Sequence, residues 1–201
     1  TGIRRCGKSV MLELIKDELK ASGVDSSQFI SINFEDMRYT YLQTAQALHD
    51  EITKLASSID GKVYLFFDEI QEVTDWEKCI NSLRITLDCD VYITGSNAKL
   101  LSGELATYLG GRYVEFIIYP FSFAEFLELY HLTAPDESIS SCFQKYLVSG
   151  GMPYLSNLRY AEEPSIQYLT DLFNSVQLKD IVKRNKVRDV DLLERITAYI
   201  M

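Results

Sequence analysis

The first residues of the chain carry a pattern that could bind phosphate. Residues 2–9 read GIRRCGKS and match G-x-x-x-x-G-K-[ST] at every specified position. Glycines let backbone N–H groups curl around an anion, and a helix that follows directly presents its positive end to it. Lys8 would bring a mobile charge to the β- and γ-phosphates of a nucleotide, and Ser9 would offer a hydroxyl to Mg²⁺. The residues predicted to bind the nucleotide are Gly2, Ile3, Arg4, Arg5, Cys6, Gly7, Lys8 and Ser9.

An acidic pair follows an apolar segment further along the chain. Residues 63–67 form an uninterrupted apolar run, which is typical of a strand buried on both faces, and Asp68 and Glu69 come next. Ligands of open α/β sheets bind at the carboxyl ends of the strands. Asp68 is therefore a candidate Mg²⁺ ligand, and Glu69 a candidate base that orients and deprotonates the attacking water. An acidic turn after a strand is the plainer interpretation, but the phosphate-binding pattern upstream argues against it.

Two further features could complete such a site. A short apolar run at 91–93 ends in small polar residues, of which Ser96 or Asn97 could bind the γ-phosphate or its water. Turn formation or helix capping would explain the same residues equally well. Arg112 follows a pair of glycines, and its guanidinium could stabilise a phosphoryl transition state in its own chain or in a neighbouring one. A surface arginine at the start of a strand is an equally good interpretation.

The elements that must position these residues follow from apolar periodicity. Up to residue 119 short apolar runs alternate with helical patterns, which predicts a parallel sheet covered by helices on both faces. After Pro120 the patterns are helical only, so we place a boundary there. The predicted strands are 29–34, 63–67, 91–93 and 113–119. The predicted helices run from Val10 to just before Gly23 and then over 44–59, 76–87, 98–109, 122–131, 138–149, 164–184 and 189–201.

These motifs together resemble one family, the prokaryotic AAA-domain ATPases whose C-terminal half is a domain of unknown function with a nuclease-like fold. The resemblance covers essentially the whole chain. It rests on residues 1–9, on Asn33-Phe34-Glu35-Asp36, on 67–73 with Trp76-Glu77, on 94–97, on 109–112 and on 119–126.

The resemblance implies an α/β P-loop NTPase fold of the AAA+ type, with a parallel sheet in the order 5-1-4-3-2 flanked by helices and followed by a helical lid. It identifies 2–9 as Walker A and Asp68-Glu69 as Walker B. It also gives a sensor role to the end of the 91–94 strand and a finger or sensor role to Arg112. The domains it implies are a core at 1–119, a lid at 120–188 and the start of a winged-helix-like module at 189–201.

One departure from the family concerns the first strand of the sheet. The family has a hydrophobic strand immediately before the phosphate loop, whereas this sequence starts at Thr1. We therefore expect the chain to be part of a longer protein, with a nuclease-like domain beyond Met201. We also expect that the chain by itself has a distorted phosphate site and impaired ATP binding, unless the gap in the sheet is filled from elsewhere.

Composition limits the partners. No segment approaches the roughly 18 uncharged apolar residues of a membrane span, and the four cysteines are scattered as in cytoplasmic proteins with reduced thiols. The net charge of −9 argues against a large nucleic-acid footprint. The basic residues at 179–188 are better explained as a solvated helix face than as a DNA contact. Two kinds of partner stay open. One is DNA bound through domains outside the chain, and the other is a second copy of the chain in a homo-oligomer, on which Arg112 would act.

The leading functional hypothesis is ATP binding and Mg²⁺-dependent hydrolysis that moves attached domains, which could act on DNA. The alternative is a regulatory switch that binds ATP with negligible turnover and controls a DNA- or protein-binding module. A small-molecule kinase would fit the helical lid, but Glu69 has the role of a hydrolase and calls for no acceptor substrate.

Overall fold

The computed structural model describes residues 1–95, 110–176 and 190–200. The chain divides into two compact units, Thr1–Tyr119 and Pro120–Met201. Three features of the sequence interpretation lie outside the described residues: the helix predicted at 98–109, the candidate residues Ser96 and Asn97, and the basic residues at 179–188.

The first unit alternates helices with parallel strands, as the periodicity predicts. Thr44 caps the second helix, because its hydroxyl accepts a hydrogen bond from the N–H of Ala47 at 3.3 Å. The elements are α1 (Lys8–Ala21), β1 (Phe29–Asn33), α2 (Ala45–Ala56), β2 (Val63–Asp68), α3 (Trp76–Thr86) and β3 (Cys89–Ile93), with short 3₁₀ turns at Ser26–Gln28, Met37–Leu42 and Ile70–Glu72.

The three strands form one parallel sheet in the order β1-β2-β3. Leu65 and Phe67 of the central strand are fully buried in a core that α2 and α3 supply. Phe66, which alternation directs to the opposite face, lies 5.1 Å from the ammonium of Lys16 in α1. Helices therefore cover both faces of a parallel sheet, which confirms the predicted fold class.

The register of the sheet brings the carboxyl ends of the strands together. Asn33, the last residue of β1, is paired with Asp68, the last residue of β2, and Phe67 is paired with Ile93 at the end of β3. Polar residues that follow or end these strands must therefore meet at one edge.

The prediction of a strand at 113–119 is wrong. The described residues form no strand there, and their one sheet-type pairing is an isolated parallel bridge between Ile118 and Gly2. The Ile118 N–H donates to the carbonyl oxygen of Thr1 at 2.8 Å, and Val114 and Phe116 are exposed. A strand needs a neighbour along its length to pair its N–H and C=O groups, and among the described residues only Gly2 forms such a bridge with this segment. In the implied order 5-1-4-3-2, strand 1 is the one that precedes the loop, so β1, β2 and β3 correspond to strands 2, 3 and 4. The described residues therefore form the 4-3-2 part of that order.

The second unit is helical in its described residues. Ser122 begins its first helix with a capping box, in which Glu125 accepts from the Ser122 N–H at 2.8 Å and the Ser122 hydroxyl accepts from the Glu125 N–H at 3.4 Å. Its helices are α4 (Phe123–His131), α5 (Ile139–Ser149), α6 (Glu162–Val176) and α7 (Val190–Ile200). Among the helices of the described residues, none combines the length and apolar character needed to cross a bilayer.

Candidate nucleotide and metal site

The loop before α1 has the backbone geometry of an anion site. Arg5 and Gly7 have φ values of 61° and 104°, in the left-handed region. Gly7 is the N-cap of α1, no side chain caps this helix end, and its first turn contains no acidic residue. The N–H groups of that turn are therefore not taken by a capping side chain, and the positive end of a 14-residue helix can receive an anion.

Gly2 occupies a place where no side chain fits. A β-carbon built on it would lie 2.3 Å from the carbonyl oxygen of Ile118 and 2.8 Å from Sγ of Cys6, and its φ is 150°. For Gly7, by contrast, no atom of the described residues lies within 4 Å of such a carbon, apart from its own neighbours in the chain. The first glycine of the motif is thus required by close packing and the second by its backbone conformation.

Lys8 points into the loop that it follows. Its side chain is 5% exposed, and its ammonium donates a hydrogen bond to the carbonyl oxygen of Ile3 at 2.8 Å. An ammonium has three donors, so this bond holds the charge inside the loop and leaves further N–H groups for a phosphate. Cys6 is buried at 3% exposure, while Ser9 is exposed at the start of the helix.

Asp68 is held through both of its carboxylate oxygens. Oδ2 accepts a hydrogen bond from the Asn33 amide at 3.0 Å, and Oδ1 accepts one from the Thr94 hydroxyl. Asp68 and Thr94 are each only 7% exposed. The orientation of this carboxylate is therefore determined by the ends of the two neighbouring strands.

Glu69 follows in an uncommon backbone conformation. Its φ of 55° is left-handed, which costs a non-glycine residue about 1–2 kcal/mol. The strained turn is held by a 3.2 Å hydrogen bond from the Glu69 N–H to the Thr94 hydroxyl. The Glu69 carboxylate accepts a hydrogen bond from the side-chain amide of Gln71. Strain of this kind is retained where the surrounding structure needs it, so Glu69 is a functional candidate on geometry as well as on sequence.

Ser9 and Asp68, the two predicted Mg²⁺ ligands, line the same cleft. This cleft of about 250 Å³ lies between α1 and the ends of β1 and β2, and Asn33 and Glu13 also face it. A water molecule takes roughly 30 Å³ in the liquid, so the cleft has room for a hydrated cation. Within the described residues no group of three or more His, Cys, Asp or Glu could hold a metal. The arrangement suits Mg²⁺, which usually takes one or two carboxylates together with substrate phosphates and water.

Of the three remaining predicted residues, the structure describes Arg112 alone. Arg112 is exposed in the segment that follows Gly110 and Gly111. Ser96 and Asn97 lie outside the described residues. The roles assigned to these three residues therefore stay predictions.

Three side chains of the site are not singled out by the sequence interpretation, namely Asn33, Gln71 and Thr94, although Thr94 ends the 91–94 strand to which the resemblance gives a sensor role. Asn33 ends β1 and Thr94 follows β3, so each stands beside Asp68 at the carboxyl edge of the sheet. Asn33 and Thr94 share one signal: each is a polar residue at the end of a strand, and the neighbouring strand ends in an acidic residue. That signal depends on strand order, which periodicity alone does not provide.

Two curated relatives match the chain over nearly its whole length. An uncharacterized protein of Haemophilus influenzae is 39% identical over 201 residues, which is 100% of this chain and 50% of that protein. The uncharacterized protein MJ1544 of Methanocaldococcus jannaschii is 32% identical over 197 residues, which covers 94% of this chain and 42% of that protein. The chain thus spans about half the length of the curated relatives it matches. The model of a family described as "AAA domain" matches residues 1–127.

Proposed function

The chain belongs to the AAA domain family, and on that premise we propose that it binds ATP and hydrolyses it with Mg²⁺. Family membership implies nucleotide binding and ATPase activity in general terms. The observation that carries the assignment for this chain is the cleft shared by Ser9 and Asp68, next to a helix end without a side-chain cap.

The loop residues bind the phosphates in this proposal. Backbone N–H groups of residues 2–9 surround the β- and γ-phosphates, and Lys8 adds its charge by exchanging its bond to the Ile3 carbonyl for a phosphate oxygen. Ser9 and Asp68 would hold Mg²⁺, which supplies neutralisation of the charge that develops on the transferred phosphoryl group.

Glu69 is proposed to orient the attacking water and take its proton. To do so its carboxylate must share or release the hydrogen bond from Gln71. Ser96 or Asn97 would contact the γ-phosphate or this water, and Arg112 would stabilise the transition state in its own chain or in a neighbouring copy. An arginine that acts on a neighbour requires a homo-oligomer.

Hydrolysis is proposed to drive movement of attached domains. Residues 120–188 of the helical unit would form a lid. Residues 189–201 would begin a winged-helix-like module. Relatives about twice as long as this chain leave room for a further domain, and the resemblance noted above makes a nuclease-like domain that acts on DNA the leading candidate.

A second candidate is a regulatory switch with negligible turnover. Two observations favour it: the carboxylate of Glu69 is engaged by Gln71, and Arg112 is exposed. Single-turnover and steady-state ATPase assays of the full-length protein, with and without Mg²⁺ and DNA, separate the two. Mg²⁺-dependent release of phosphate supports the ATPase, whereas stable nucleotide binding without release supports the switch.

A further inference from the structure

The Thr94 hydroxyl joins the two acidic residues of the site. It donates its proton to Oδ1 of Asp68, and its oxygen accepts the backbone N–H of Glu69 at 3.2 Å. A hydroxyl has one proton to donate and two lone pairs, so both bonds can exist together in only this direction. Thr94 is 7% exposed, and water therefore competes little for either bond.

The backbone of Thr94 is tied to the same turn. Its N–H donates to the carbonyl oxygen of Phe67 at 2.9 Å, and its own carbonyl accepts the N–H of Ile70 at 3.1 Å. Side chain and backbone of one residue thus contact the chain just before, within and just after the acidic pair. The main chain that carries the hydroxyl is therefore fixed relative to that turn.

The second oxygen of Asp68 has a donor of its own. Asn33 donates to Oδ2 at 3.0 Å, so each carboxylate oxygen receives one hydrogen bond and keeps a lone pair for a metal ion or its water. With a donor on each oxygen, rotation of the carboxylate is restricted. The carboxylate is then presented to the cleft in one orientation.

From these contacts we propose that Thr94 is a positioning residue, which sets the geometry of Asp68 relative to Glu69 for Mg²⁺-dependent nucleotide chemistry. This inference rests on the proposed function. Thr94 acts through the two acidic residues and not by contact with the nucleotide. Without its hydroxyl, Asp68 Oδ1 loses the Thr94 donor and the Glu69 N–H loses its acceptor at the strained turn.

The test compares wild type, Thr94→Val and Thr94→Ser in the full-length protein. Valine keeps the branched shape and removes the hydroxyl, while serine keeps the hydroxyl. The first readout is the Mg²⁺ concentration at half-maximal enhancement of binding of a fluorescent ATP analogue, measured at equilibrium without need of turnover. Loss of a residue that orients a metal ligand typically costs 10–100-fold, so we expect Thr94→Val to raise this concentration at least about tenfold.

The second readout separates positioning from a general effect on folding. We expect Thr94→Val to lower kcat with little change in KM and in Mg²⁺-free nucleotide binding, and Thr94→Ser to stay near wild type. Thr86→Val is the matched control, because among the described residues the Thr86 hydroxyl bonds within α3, to the carbonyl of Ser82 at 3.1 Å and to that of Leu83 at 3.4 Å. If Thr94→Val lowers Tm, Thr94→Ala removes the same hydroxyl without adding an apolar methyl group.

The outcomes are distinct. An unchanged Mg²⁺ midpoint in folded Thr94→Val or Thr94→Ala, or a Thr94→Ser variant as impaired as Thr94→Val, overturns the positioning role while the proposed function stands. Wild type that binds nucleotide without turnover removes the ATPase proposal, yet the Mg²⁺ midpoint still decides the role of Thr94. Wild type that binds no nucleotide overturns both.

Discussion

Gly2 and Ile118 approach each other so closely that a β-carbon on Gly2 would lie 2.3 Å from the Ile118 carbonyl oxygen. The two residues also form an isolated parallel bridge, which joins the start of the proposed phosphate loop to the segment before Tyr119. The loop is therefore held at one end by this bridge and at the other by the first turn of α1. Its geometry depends on a contact between residues far apart in the chain.

Gly2→Ala should weaken both the fold around the loop and nucleotide binding. The new methyl group would have to displace backbone, and overpacking of this kind costs ~1–3 kcal/mol. We expect a lower Tm and a higher Kd for a fluorescent ATP analogue. Gly23→Ala is the control, because Gly23 has a φ of 95° but no atom within 4 Å of the added carbon. Equal effects of the two variants on Kd would contradict the packing argument.

Lys8→Ala should abolish nucleotide binding. The Lys8 ammonium lies within the loop, 2.8 Å from the carbonyl of Ile3, and no described side chain caps the helix end beside it. Calorimetric titration of the full-length protein with ATP and Mg²⁺ measures the loss. Lys20→Ala is the matched control, since Lys20 lies in the last turn of the same helix and pairs with Asp17 at 2.9 Å. Undiminished binding by Lys8→Ala would refute the assignment of the loop.

Glu69→Gln should bind ATP and fail to hydrolyse it. The amide keeps the size of the side chain but cannot take a proton from water, and loss of general-base catalysis typically costs about 10²–10⁴ in rate. Rapid-quench measurement of phosphate release shows the loss of hydrolysis. Retention of labelled ATP on the protein shows that binding is kept. The control is Glu72→Gln, which changes an exposed carboxylate in the same turn. Turnover that survives in Glu69→Gln would exclude Glu69 as the base.

Acid should loosen the helical unit through Glu137. Hydrogen bonds from Ser141, Tyr130 and Lys145 lower the pKa of Glu137 from 4.5 to about 2. Because the folded pKa is depressed, the stabilisation is present in full above about pH 4.5 and is lost as pH falls toward 2. Hydrogen exchange of peptides from α4 and α5, measured from pH 6 to pH 2, should show protection falling across this window after correction for intrinsic rates.

Glu137→Gln removes the titrating group and should flatten this part of the pH profile. Asp136→Asn is the matched control, because it neutralises the adjacent exposed carboxylate, for which the structure gives no such set of donors. A profile that stays equally steep in Glu137→Gln would mean that another group controls the acid response.

The sequence alone was enough to predict the α/β class, and it indicated the loop at 2–9 and the acidic pair as the candidate site. These features depend on local patterns: glycines that permit left-handed φ values before a helix, and an apolar run that ends in two carboxylates. The structure confirms the parallel sheet, and it places Ser9 and Asp68 on one cleft. Local chemistry decides these features because the residues concerned are neighbours in the chain.

Only the tertiary structure decided how the acidic pair is held, and the strand order on which this depends came from the family resemblance and not from any local pattern. Asn33 and Thr94 reach Asp68 because β1 and β3 flank β2 in one register, and Gln71 reaches Glu69 because the turn after β2 is left-handed. Residues 113–119 have the composition of a strand, yet composition cannot supply the neighbour that a strand needs for its hydrogen bonds. The residue types of the site follow from local sequence, whereas its geometry follows from long-range pairing that no local pattern encodes.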